Sequence, residues 1–188
     1  MIEVESSELT FISTPLIIGD ATEDLVDIPL LDTNRTVHGS VRRLIVKESI
    51  ANVLQEQLLF DRSPYPRFRA LVTKYQLGWS IRVSLHGNSE ARPDFERLDD
   101  CDEVWVMCFR DPRLNQWRLF GRFIQHNVFV GLYLYDRRAL GTREHYNIVA
   151  QNFPNQWDVE TKMMPYITGT TVGQYLGGVT IDVDQSAF

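Results

Sequence analysis

Hydrophobic and polar positions change their period several times along the chain, and each change marks an element. Between residues 79 and 85, Trp79, Ile81, Val83 and Leu85 alternate with Ser80, Arg82 and Ser84, the pattern of a half-buried strand. Residues 41–46 (VRRLIV) are β-branched and read as another strand. From Glu48 the period becomes helical: Ile50, Val53, Leu54 and Leu58 recur on one face, and the prolines of SPYP end that helix near residue 60. A shorter helix follows from Arg67 and closes at Gly78. Residues 86–100 read as a loop, and 104–109 are apolar throughout, as in a strand covered on both faces.

Residues 117–124 (WRLFGRFI) and 128–135 (VFVGLYLY) form the clearest hairpin, turning at His126-Asn127. A two-residue loop sets Gln125 opposite Val128, Arg122 opposite Gly131, Phe120 opposite Tyr133 and Arg118 opposite Tyr135. In that register Trp117, Leu119, Val128, Val130, Leu132 and Leu134 share an aliphatic face, while Arg118, Phe120, Arg122, Tyr133 and Tyr135 share the other. The second face either stacks bases and binds phosphates or lies under a helix with its arginines reaching the rim. A helix over 142–152, capped by Thr142, and a glycine-rich β-branched end with a pair of edge strands complete the reading. The fold class is α+β: an antiparallel sheet with a three-strand meander over 104–135, packed against two or three helices. The chain reads as one domain, 1–188, with an N-terminal arm (1–39), a core (40–150) and a C-terminal β addition (151–188).

Charge sharpens this picture. The net charge is −6, yet residues 1–34 hold eight acids and no base, while residues 35–86 hold nine bases and three acids. Nearly all the bases are arginine, the better planar partner for phosphate and carboxylate. The arm therefore either masks the arginine face or completes the fold as extra strands. The start, MIEVESSELT, carries acids where a signal peptide carries bases, and no apolar run reaches the roughly 18–20 residues that span a bilayer. A cytoplasmic chain without a membrane partner is expected.

Few chemistries have a signature here. The two cysteines, Cys101 and Cys108, form no CxxC pair and read as free thiols. The histidines make no HxxH or HExxH pair, and no phosphate loop or nucleophile elbow is present, so no metal or other cofactor is expected. Asp99, Asp100, Asp102 and Glu103 read as a solvated acidic loop.

The order VRRLIV, two helices, EVWVMCFR, QWRLFGRF and VFVGLYLYDRR, with Arg110, Arg118 and Arg137-Arg138 at strand ends, resembles the RelE/ParE/HigB-type toxins of bacterial toxin–antitoxin pairs over residues 40–150. The resemblance implies metal-free RNA cleavage, in which a ribose 2′-hydroxyl attacks the adjacent phosphate. Arg118, Arg122, Arg137 and Arg138 would steady the phosphorane, and His145 or Tyr146 would move the proton. Phe120, Tyr133 and Tyr135 would contact the substrate. Two further readings stand beside it: a non-catalytic interaction or accessory protein of a bacterial, plasmid or phage system, with a protein partner, and a small-molecule-binding domain with its pocket between sheet and helices.

Overall fold

The computed structural model describes residues 17–18, 24–30, 41–59, 66–87, 92–110 and 116–184. The apolar arm segment 9–12, the turn 111–115 and most of SPYP lie outside them.

The hairpin organises the molecule. β7 (Trp117–Gln125) and β8 (Val128–Asp136) pair antiparallel around His126-Asn127, and Asn127 takes the left-handed φ of 69° that such a tight loop demands. Gln125 faces Val128, Phe120 faces Tyr133 and Arg118 faces Tyr135, as the pattern predicts. Two register shifts, at Phe123/Gln125 and Phe120/Gly121, set Arg122 opposite Val130 and bring Gly121 opposite Gly131. A Cβ on Gly121 would collide with the Val130 carbonyl, so glycine is required there. The shifts also correct the face assignment: Phe129 joins Leu119 and Leu134, whereas Val130 and Leu132 join Phe120 and the tyrosines.

β6 (Trp105–Phe109) pairs antiparallel with β7, completing three adjacent strands. Beyond them the sheet is mixed rather than antiparallel. β3 (Arg43–Lys47) runs parallel to β8, and β2 (Leu25–Asp27) pairs antiparallel with β3. β1 (Ile17–Ile18) pairs with Leu134 and Tyr135 of β8 beyond the end of β3. On the other side follow β5 (Phe95–Arg97), β4 (Ile81–Ser84) and β9 (Thr180–Asp182), with β4 parallel to both neighbours. Parts of the N-terminal arm are thus strands of the sheet. Phe95–Arg97 lies inside the segment expected to be loop; three residues with two charges carry no period.

Alternate residues of β6 belong to different cores, which places helices on both faces. Trp105, Met107 and Phe109 pack with Ile50 and Leu54 of α1 (Glu48–Leu59), Phe68, Val72 and Tyr75 of α2 (Pro66–Gln76), and Tyr175 of α4 (Val172–Tyr175). Val104, Val106 and Cys108 pack with Ala150, Phe153 and Trp157 of α3 (Arg143–Glu160). α3 continues well past the expected end at residue 152, through Pro154. The proline forfeits one backbone hydrogen bond, and full burial of Phe153 and Trp157 on the sheet offsets it. Among the described residues the tail holds one strand and a helical turn instead of two strands. Arg42 ties that tail to the core: its buried guanidinium donates to the carbonyls of Gly177 (3.0 and 2.7 Å), Trp79 (3.1 Å) and Val179 (3.2 Å). Among the described residues no helix is long and apolar enough to cross a membrane.

Candidate functional site

α3 decides what the arginine and aromatic face can do. Thr142 caps it, accepting from the His145 N–H at 3.2 Å, and the helix then runs across the face. Phe120 lies 5.5 Å from Tyr146 and 6.3 Å from Phe153, and Tyr133 meets Phe153 edge-on at 6.2 Å. Phe120, Tyr133 and Tyr135 are all buried. The face is therefore interior.

The arginines of the face are spent internally. Arg122 is 1% exposed, with its guanidinium 3.7 Å from the Tyr166 ring and 5.5 Å from Trp157. It donates to the Asp102 carbonyl at 2.6 Å. Arg118, 7% exposed, donates to the Trp117 carbonyl and to Gln116 Oε1 at 3.0 and 3.3 Å. Arg137, Arg138, His145 and Tyr146 instead lie along the turn from β8 into the start of α3. Arg137 sits 5.5 Å from the Tyr146 ring and donates to the Gly141 carbonyl; Arg138 and His145 are exposed. The Tyr146 hydroxyl is sealed from solvent, and burial, then the neighbouring Glu96, push its pKa well up.

A second assembly lies between α3 and the loop from β5 to β6. The loop closes with the Leu98 N–H donating to the Val104 carbonyl at 2.8 Å, and Asp100 and Glu103 take left-handed φ values of 58° and 49°. It is held from both faces of the sheet. Arg122 and the Tyr166 hydroxyl grip Asp102 on the α3 side. On the opposite side Arg97 (3.3 Å), Trp105 Nε1 (3.3 Å) and the Tyr175 hydroxyl (2.7 Å) all donate to the Glu103 carboxylate. Asp99 and Asp100 remain exposed. They face α3 across a cleft of about 160 Å³, whose far wall carries Arg143, Asn147 and Gln151 and whose apolar floor includes Leu98 and Ala150. Spacing by four puts those three α3 residues on one stripe.

The charge pattern points to a solvated loop and gives no role to Arg143, Asn147 or Gln151. Their i, i+4, i+8 spacing was the available signal. No group of three or more histidine, cysteine or acidic side chains among the described residues is placed to hold a metal.

The thiols follow their surroundings. Burial pushes Cys108 up to about 12, and Glu96 adds to this against the lowering effect of Arg118. Cys101 is raised by burial, then by Asp100 and Asp99. Thiolate is the reactive form, so in native protein at pH 8 a thiol reagent should modify Cys101 slowly and leave Cys108 intact, while denaturant exposes both. Rapid native modification of two thiols would show that α3 does not cover β6. Because the folded state keeps Cys108 protonated above its ordinary value of 9.0, its contribution to stability is complete below that pH and is lost as pH rises toward about 12.

No family model, curated protein or solved structure matches the chain.

Proposed function

We propose that the chain is a non-catalytic interaction protein that docks a protein partner on the outward side of α3 and the turn after it. The observation that carries this reading is an apolar stripe. Ile148 is 49% exposed, Val159 77% and Met163 75%. Eleven residues is close to three helical turns, so Ile148 and Val159 share a line along α3. Exposed Asn152 and Asn155 lie between them, so the stripe mixes apolar and amide side chains, as non-obligate interfaces, no more apolar overall than other surface, do. Supporting it, the side chains that nucleic acid would need, Phe120, Tyr133, Tyr135, Arg118 and Arg122, are committed beneath the same helix.

A photo-crosslinking residue at position 159 should give one discrete adduct in cells, lost when Ile148→Asp is added. The same probe at exposed Arg69 of α2 should give none. Absence of any adduct at 159, or an equal yield at 69, would sink the reading.

The basic turn favours a second reading: a RelE-like endoribonuclease cleaving RNA by metal-free 2′-hydroxyl attack. Arg137, Arg138 and Arg143 would steady the phosphate, and exposed His145 would take the proton. Tyr146, with its hydroxyl buried, is poorly suited to that task. Expression should then arrest growth, and Arg137→Ala with Arg138→Ala should relieve the arrest. Unaffected growth together with no RNA binding at low salt, where phosphate contacts are strongest, removes this reading.

A further inference from the structure

The cleft between α3 and the loop carries an inference independent of the partner surface. Its volume is about 160 Å³. A cavity of ~150 Å³ accommodates a benzene-sized molecule, so the cleft matches a small metabolite in size. Its walls are of opposite sign: Asp99 and Asp100 on the loop, Arg143 on the helix. Among the described residues no ion pair joins Arg143 to either aspartate. Asp99 instead lies 3.5 Å from the exposed His86. Opposite charges thus face one another across a gap that neither closes.

Arg143 is also in an unfavourable place. It is the first residue of α3, where the helix dipole favours anions and disfavours cations. An anion held there would gain both from the guanidinium and from the helix end. The opposing loop is fixed by its Arg122, Tyr166, Arg97, Trp105 and Tyr175 contacts. These contacts hold Asp102 and Glu103, so the backbone that carries Asp99 and Asp100 is set before any ligand arrives, which lowers the cost of binding. Between the charged walls the floor of Leu98 and Ala150 is buried and apolar.

We propose that this cleft binds a free α-amino acid with a small aliphatic side chain. Its ammonium lies against Asp99 and Asp100, its carboxylate against Arg143, and its side chain on Leu98 and Ala150. Asn147 and Gln151 offer amides to the carboxylate.

The test is amide chemical-shift titration of the full chain with alanine, valine and leucine, and then with N-acetyl-leucine and leucinamide, each of which lacks one charge. The expected result is saturable shifts at Asp100, Asn147 and Gln151 with an aliphatic amino acid, and binding weaker by about tenfold or more for either derivative, the value of one charged hydrogen bond. Arg143→Gln should weaken leucine by a similar factor and leave leucinamide unchanged. Asp99→Asn with Asp100→Asn should weaken leucine and leave N-acetyl-leucine unchanged. All three residues are exposed, so the variants fold. Arg69→Gln, on α2, should change nothing. The proposal is overturned if the three amino acids shift none of these amides at ~10 mM, a concentration that reveals even millimolar affinity. It is equally overturned if the derivatives bind as well as the parent, or if Arg143→Gln leaves leucine binding intact.

Discussion

Replacing Lys47 with methionine should lower the unfolding free energy by about 3–5 kcal/mol. Lys47 ends β3 and pairs with Glu160, the last residue of α3; the two side chains are 2% and 6% exposed. The ammonium also lies 4.4 Å from the Tyr133 ring. Removing one partner leaves a buried, uncompensated carboxylate, and desolvation of that charge is the source of the loss. Removing both is a different experiment. Lys47→Met with Glu160→Met should recover most of the stability, because a desolvated pair contributes little beyond what an apolar pair of similar volume supplies. Urea denaturation of the two variants gives the answer from the midpoints at unchanged slope. A single variant within about 1 kcal/mol of the parent would mean that water reaches the pair.

Trp157→Ala should cost a comparable ~3–5 kcal/mol, through lost burial and the cavity left behind. Trp157 is fully buried, donates from Nε1 to the Met164 carbonyl at 2.9 Å, and meets the Tyr166 ring edge-on at 6.4 Å. It is also one of the two rings beneath the Arg122 guanidinium. The damage should therefore spread to Asp102, which Arg122 and Tyr166 hold. Hydrogen exchange at residues 102–104 should speed up in Trp157→Ala and much less in Trp157→Phe, which keeps an aromatic ring under the arginine. A loss below ~1 kcal/mol, outside the range for a buried aromatic, would show that α3 is loosely seated.

Strands with a strong period were legible in the sequence: β3, β4, β6, β7 and β8 stand where alternation or a continuous apolar run placed them. The hairpin turn at His126-Asn127 was legible for the same reason, since two long runs leave only two residues between them. The failures share a physical cause. A bulge inserts one residue without disturbing local composition, so the pattern could not assign Phe129, Val130 and Leu132 to their true faces. Parallel pairing of β3 with β8 leaves no local trace, because no turn joins the strands. Pro154, a residue type that ordinarily ends or kinks a helix, lies inside α3, and burial of Phe153 and Trp157 on the sheet carries the helix through it. As for site residues, Arg118 and Tyr146 were singled out as chemistry, but their neighbours in space, Glu96 and Cys108, come from other strands. The cleft joins residues 99–100 to 143–151, a juxtaposition that exists only in the folded chain.

The Arg42 contacts carry a consequence for biosynthesis. Arg42 precedes the first long strand, and its best acceptor, Gly177, lies 135 residues further along. β9, which flanks the far edge of the sheet, is made from Thr180–Asp182, synthesised long after β3. A nascent chain that has exposed β3 and α1 has no β8 to pair with and no carbonyl cage for the guanidinium. Non-local pairing of this kind is slow and leaves apolar strands exposed while it waits. The Arg42 anchor and the β4–β9 pairing therefore form only after residues 177–182 have been made, and the sheet is incomplete until then.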